Sequence, residues 1–333
     1  MKTKVLLPTK ENLNLAANLI KKGRLVVFPT ETVYGIGANA LDKKAINKIF
    51  VAKGRPQDNP LIVHICNKKD LFLYTKDVPK IAHALISKFW PGPLTLIVKK
   101  SDQIPNNATA NLNTVAIRMP KNKIALNLIK QSGVPIAAPS ANSFGKPSPT
   151  KAIHAFDDLN TKVDIILDGK NCQIGIESTV LDITSKIPII LRPGKITKKD
   201  IEACIGKVLI HPGIDNVNKK TKTRKSPGLK YKHYSPNAKV FLFKTKQDIQ
   251  KILNQEKGKN KNIAIIDFTK NKPLSKDFLF IDVGKTIDSF CKKLFDAFRI
   301  CDQKSIDIVF VKAIKKEGLG QAIMNRVERA AKK

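Results

Sequence analysis

Several familiar signatures are missing from this 333-residue chain, and each gap removes a class of function. No apolar run reaches the ~18 residues needed to span a bilayer, and Met1-Lys2-Thr3-Lys4 leads into no signal-peptide core. The chain therefore reads as a soluble, cytoplasmic protein without a membrane partner. Cys66, Cys172, Cys204, Cys291 and Cys301 are odd in number, widely spaced and form no Cys-x-x-Cys. That pattern argues for buried reduced thiols over a redox pair or a metal site. No spacing of His, Cys and carboxylates points to a metal cage, and no Gly-x-Ser-x-Gly elbow supports a Ser-His-Asp hydrolase. Neither a P-loop nor Gly-x-Gly-x-x-Gly occurs. Gly145-Lys146-Pro147-Ser148 lacks the spacing, and its proline removes an amide donor that a phosphate cradle would use. Any phosphate must be bound by another scheme.

Acidic residues are also scarce, 27 against 61 Lys and Arg, for a net charge of +34. Such a balance invites a nucleic-acid reading. Arginine is rarer still, with eight residues, while lysine is spread over nearly every polar segment. This usage reads as a compositional bias of the source more than a dedicated RNA surface, and a non-catalytic RNA-binding protein stays as the alternative. Scarcity makes the arginines informative, because a guanidinium offers carboxylate or phosphate a planar two-pronged contact that lysine cannot copy. Arg55, Arg118 and Arg192 sit in polar loops or at strand ends and are the first candidates for ligand contacts.

What is present describes two α/β units. The length and a 42% hydrophobic content allow a sizeable core and two domains. Up to about residue 206, helical periods at 11–22, 42–53, 78–89, 122–132 and 197–205 alternate with strand patterns. The strands are expected at 25–28, 61–65, 94–98, 115–118, 136–138, 165–167, 179–183 and 189–191, in one mixed, twisted sheet. No internal repeat is visible. Between 211 and 237 periodicity disappears, and the cationic, turn-prone 218–228 stretch predicts a linker or a lid. Strand–helix alternation then resumes from 240 to 332, predicting a smaller α/β domain with a largely parallel sheet. The expected division is 1–206, 207–237 and 238–333.

Two polar loops carry the chemistry. Pro29-Thr30-Glu31-Thr32-Val33-Tyr34-Gly35-Ile36-Gly37 follows the apolar Leu25-Val26-Val27-Phe28 and reads as a binding loop opening from a buried strand. Lys53-Gly54-Arg55-Pro56-Gln57-Asp58-Asn59-Pro60 is cationic and leads into Leu61-Ile62-Val63-His64-Ile65. One loop acidic and hydroxylated, the other basic, predict a cleft for a small zwitterion beside a polyanion. Lys53 and Arg55 would meet phosphates, with Ser140 and Asn142 donating hydrogen bonds from the end of the 136–138 strand, where open sheets hold ligands. Taken singly, Lys53 also reads as a solvated last-turn lysine, Asn59 as a turn-former, Ser140 as a helix cap and His64 as a core histidine. Gly175-Ile176-Glu177-Ser178-Thr179-Val180 repeats the hydroxyl-rich chemistry, and Leu191-Arg192-Pro193-Gly194 should aim its guanidinium off the sheet rim.

These loops, with Trp90-Pro91-Gly92-Pro93-Leu94-Thr95, Ala116-Ile117-Arg118-Met119-Pro120 and Ala138-Pro139-Ser140-Ala141-Asn142, resemble the YrdC-like domain in sequence and order. The later Ser226-Pro227-Gly228-Leu229-Lys230-Tyr231-Lys232-His233-Tyr234-Ser235-Pro236 makes the chain similar to the two-domain long form of the L-threonylcarbamoyladenylate synthase family. The resemblance implies a YrdC-like twisted mixed sheet with flanking helices and a smaller C-terminal Rossmann-like domain. It implies conversion of L-threonine, bicarbonate and ATP to threonylcarbamoyl-AMP and diphosphate, with Mg²⁺ accompanying ATP. The product would feed t6A modification of tRNA through a separate threonylcarbamoyl transferase complex. By resemblance, Thr32, His64, Arg118 and Ser178 hold threonine. Lys53 or Arg55, Asn59, Thr114, Ser140, Asn142, Ser148, Arg192 and Tyr234 surround ATP, and Ala138 contributes backbone groups. Tyr234 lies in the interdomain segment, which then reads as a lid shielding the adenylate. Hydrogenase-maturation carbamoyl-transfer factors share the domain, but they need zinc-finger modules for which this chain has no Cys-x-x-Cys.

Overall fold

Helix boundaries follow capping chemistry. Asp42 accepts from the backbone N–H of Lys44 and Ala45 to start Lys43–Lys53, and Gly54 ends that helix at φ +62°. Asn122 starts Lys123–Ser132 in the same way. Thr197 and Thr286 form capping boxes ahead of Lys198–Ile205 and Ile287–Gln303. The structure, a computed structural model, describes residues 2–215, 233–256, 261–269 and 275–331. Most of the expected lid, including Lys230-Tyr231-Lys232, lies outside the described residues.

The first sheet uses β1 (Lys4–Leu6), β2 (Val26–Phe28), β3 (Gly35–Asn39), β4 (Ile62–His64), β5 (Thr75–Lys76) and β6 (Leu94–Lys100). It continues with β7 (Thr114–Arg118), β8 (Ile136–Ala137), β9 (Ile165–Leu167), β10 (Thr179–Asp182), β11 (Ile189–Arg192) and β12 (Leu209–Ile210). Their order is β1-β9-β2-β3-β8-β4-β7-β6-β10-β11-β12, with β5 paired to β6. Parallel and antiparallel pairs are mixed: β4 runs parallel to β7, whereas β6 runs antiparallel to it. The second sheet contains β13 (Lys239–Phe243), β14 (Ile263–Asp267), β15 (Leu279–Asp282) and β16 (Ile308–Lys312), ordered β13-β16-β14-β15. All its pairs are parallel.

Two local expectations are corrected. The 29–37 segment is not wholly a loop, because β3 begins at Gly35 and pairs with both β2 and β8. Its glycines serve packing: a Cβ on Gly37 would meet Ile136 and Phe28 side chains at 2.7 Å. A helix at Ala152–Leu159 also forms where none was expected. Its apolar stripe of Ala152, Ala155, Phe156 and Leu159 is only two turns long, and Lys151 supplies no side-chain cap to mark its start.

Val27, Ile36, Val63, Leu96, Ile117 and Leu181 anchor the core of the first sheet. Ile266, Phe290, Leu294, Phe298 and Val309 anchor that of the second. Each such side chain contributes roughly 1.5–3 kcal/mol on burial. Val33 and Ile176 belong to the second core although they flank the first sheet, so both hydroxyl-rich loops are pinned by the C-terminal unit. All five cysteines are free thiols. Among the described residues no helix is long and apolar enough to cross a membrane.

Candidate active site

Strand polarity gathers the side chains at one edge of the first sheet. His64 and Arg118 end the parallel pair β4 and β7, and face each other in register. Thr95, near the start of β6, lies beside Val180 of β10, while Val180 pairs with Arg192 at the end of β11. Gly194 permits the last approach, since a Cβ there would meet the Thr179 backbone N at 2.4 Å. The resulting cavity, about 630 Å³ with its open mouth, is lined by Thr32, Arg55, His64, Arg118, Ala138, Ser140, Glu177, Arg192, His233 and Tyr234 among others.

Arg118 is held before any ligand arrives. Its Nε donates to the Gly92 carbonyl at 3.2 Å and its Nη1 to Thr32 Oγ1 at 2.9 Å. Its Nη2 lies 2.7 Å from Glu31 Oε1, an ion pair whose angles fall outside hydrogen-bond geometry. Glu31 and Arg118 are both buried, and a guanidinium with five N–H donors retains unused ones after these contacts. Thr32 Oγ1 also lies 2.8 Å from Thr30 Oγ1, which donates to the Val33 carbonyl. A second arginine mirrors the first: Arg192 Nε donates to the Ser178 carbonyl and Nη2 to Ser178 Oγ, both at 3.0 Å. Ser178 Oγ is in turn 2.7 Å from Thr95 Oγ1.

The charge state of this pocket is set by burial. Burial, then the charge of Arg118, pushes His64 down to about 3, so the ring is neutral. Its Nδ1 is buried without a partner, as are Asn59 Nδ2 and His233 Nε2. Burial lowers Arg192 to about 10 against the pull of Tyr234 and Glu177, and it stays cationic at neutral pH. Burial works to raise the Glu177 carboxyl, but Arg326, Arg192 and a Ser148 hydrogen bond outweigh it and hold the group below its ordinary value. Burial, then Arg55, lowers Lys53.

The predicted residues divide into three groups. Thr32, His64, Arg118, Arg55, Ala138, Ser140, Arg192 and Tyr234 line the cavity. Ser178, Asn59, Asn142, Lys53 and Ser148 stand one step behind it. Ser178 braces Arg192, the Asn59 carbonyl accepts from Arg55 at 3.2 Å, and Asn142 Oδ1 accepts from Ser140 Oγ at 2.6 Å. Lys53 is not a solvated helix-end lysine. It is 4% exposed and donates to the Ser140 and Asn142 carbonyls, tying the helix end to that turn. Ser148 Oγ donates to Glu177 Oε1 at 2.5 Å. Thr114 is not brought to the cavity: it starts β7, paired with Lys99, at the opposite end from Arg118.

Several residues were missed. Glu31, Glu177 and His233 lie inside the quoted motifs but were given no role. Arg299 and Arg326 were passed over, although both leave the second unit to meet the first. Arg299 makes a two-pronged contact with Asp158 at 3.0 and 2.7 Å and donates to the Pro147 carbonyl at 2.5 Å. Arg326 and Arg329, three apart on the largely apolar buried face of Leu319–Ala330, were the signal available.

The Sua5–YciO–YrdC family model, described as telomere recombination, matches residues 18–194. A second family model, described as threonylcarbamoyl-AMP synthase, C-terminal domain, matches residues 196–332. The threonylcarbamoyl-AMP synthase of Pyrococcus abyssi is 44% identical over 96% of this chain and 94% of its own. That of Bacillus subtilis is 42% identical over 95% and 92%. A crystal structure of P. abyssi Sua5 complexed with L-threonine superposes with a TM-score of 0.91 at 41% identity, covering 99% of this chain and 97% of that one.

Proposed function

The chain belongs to the threonylcarbamoyl-AMP synthase family and is an enzyme of that type, and on this premise we propose how its residues hold the substrates and perform the reaction. L-Threonine is a substrate, and ATP and bicarbonate complete the set. Catalysis is assigned to 1–206, the lid to 207–237 and support of that lid to 238–333.

The unused N–H groups of Arg118 take the threonine carboxylate, with Thr32 and neutral His64 around the amino acid. ATP lies toward Arg55, Ser140, Arg192 and Tyr234, its charge met by arginines in a pocket of low dielectric. The threonine nitrogen bonds to the carbon of bicarbonate and water is lost. A carbamate oxygen then attacks the α-phosphorus as the bond to the diphosphate oxygen breaks. Such chemistry needs positioning and charge neutralisation more than a protein nucleophile. Tyr234 covers the cavity and keeps water from the mixed anhydride.

Mg²⁺ is proposed to accompany the nucleotide. Among the described residues no three His, Cys, Asp or Glu side chains converge, and both Glu177 oxygens are engaged. The donor set therefore fits an ion held mainly by phosphates and water. The product passes to a separate transferase complex that installs t6A on tRNA, and we place the enzyme in the cytoplasm, where ATP is available and thiols stay reduced.

The observation that carries this reading is the convergence on one cavity of Arg118, held by Thr32, and Arg192, braced from behind by Ser178. Diphosphate release from ATP should require threonine and bicarbonate together. Release that ignores either would refute it.

A further inference from the structure

Arg326 has no exposed surface and ranks among the largest fully buried side chains. An enclosed guanidinium costs several kcal/mol unless its donors are matched, so the groups it meets are informative. Its Nε is 3.0 Å from Glu177 Oε2, and its Nη1 donates to the Pro193 carbonyl at 2.8 Å. Its plane lies 5.5 Å from the centre of the Tyr234 ring. Glu177, Tyr234 and Arg192, the residue before Pro193, all line the cavity. One side chain from the C-terminal helix thus touches three separate pieces of its wall, while its Nη2 is buried without a partner.

We propose that Arg326 is a positioning residue for the nucleotide side of the site: it occupies Glu177 so that Arg192 stays available to ATP phosphates. This rests on the ATP reading given above. Glu177 accepts from Ser148 through one oxygen and meets Arg326 through the other. Without Arg326 the buried carboxylate would depend on Arg192 for its remaining cationic partner, turn to it and draw it away from an incoming phosphate. The threonine side is braced separately: Arg118 is held by Glu31, Thr32 and Gly92, whereas the bonds of Arg326 go to Glu177, Pro193 and Asn325. The C-terminal unit then completes the site as well as supporting the lid.

The test uses the full-length protein and diphosphate release, with ATP and threonine varied separately. R326M should raise KM for ATP about tenfold or more while KM for threonine stays within about twofold. R326M/E177Q should recover most of that loss, because the uncompensated carboxylate is gone. R326K keeps charge without the fork and should fall between them. Thermal melting and threonine calorimetry on each variant report folding. If R326M is unstable, the R326K and double-variant constants carry the comparison. Unchanged KM values, an equal rise for both substrates, or no recovery in the double variant would overturn the proposal. Absence of diphosphate release from the unsubstituted enzyme would instead overturn the reading on which it rests.

Discussion

The two sheets of this protein contribute to one cavity in different ways. The first supplies residues from strand ends and short loops: Thr32 follows a buried strand, His64, Arg118 and Arg192 close one, and Ser178 stands immediately before β10. The second supplies arginines from the middle of helices, Arg299 on Ile287–Gln303 and Arg326 on Leu319–Ala330. Strand ends hold a ligand because the backbone direction is set by the ladder, and side chains leave the sheet at a common edge. Helix arginines brace the walls that those strand ends build. The difference separates residues that meet substrate from residues that hold them in place.

The sharpest way to break that comparison is to remove a brace. Arg299→Met leaves Asp158 buried with no guanidinium, and should cost about 3–5 kcal/mol in denaturant unfolding. Asp158→Asn with Arg299→Met should return much of it, since neither charge is then stranded. A small loss in the single variant would mean that the Arg299–Asp158 pair does little to dock the two units, leaving apolar contacts and Arg326–Glu177 to hold them. Arg118→Lys addresses the other side of the comparison. It keeps the charge but loses the fork, and should lower kcat/KM for threonine by about 10- to 100-fold with little change in ATP affinity. Equal loss for both substrates would move Arg118 out of the threonine site.

Acid titration separates the pocket from the seam between the sheets. The folded His64 value is near 3, below the ordinary ~6.5, so between those limits the unfolded chain binds a proton that the native one does not. Stability should therefore fall as pH drops through that window, with His64 contributing at most about 1.4 kcal/mol per pH unit beside the contribution of buried His233, which is lowered likewise. Burial raises Asp158 but its bonds to Arg299 prevail and depress it, so its stabilising effect is present above ~3.9 and lost only below. His64→Gln should lessen the decline above pH 4, the part owed to His233 remaining, and leave the acid limb unchanged; an unaltered profile would argue against a neutral buried His64 ring. The smallest effect is expected at the exposed pair Lys99–Asp77, where Lys99→Ala should leave melting unmoved because solvent screens both charges.

Much of the fold was legible because caps and periods are local. Asp42, Asn122, Thr197 and Thr286 each announce a helix by supplying an oxygen to its first free N–H groups. Ala152–Leu159 escaped because it is short and no capping side chain marks its start, and β3 escaped because its glycines look like loop glycines until Phe28 and Ile136 press on them. In the site, Arg118 and Arg192 stood out through rarity and position. Thr114, on the same strand as Arg118, was drawn in by resemblance alone and lies at the other end of that strand.

Residue order was enough to establish the two α/β units, the loops that open from strands and the arginines suited to anions, because each depends on neighbours in the chain. Folding in three dimensions decided that Lys53 is a buried tie, that Glu31 braces Arg118 and that Arg326 reaches Glu177. Those facts depend on which charges share a dry interior, and residues 149 positions apart acquire that relation only when two cores close upon each other.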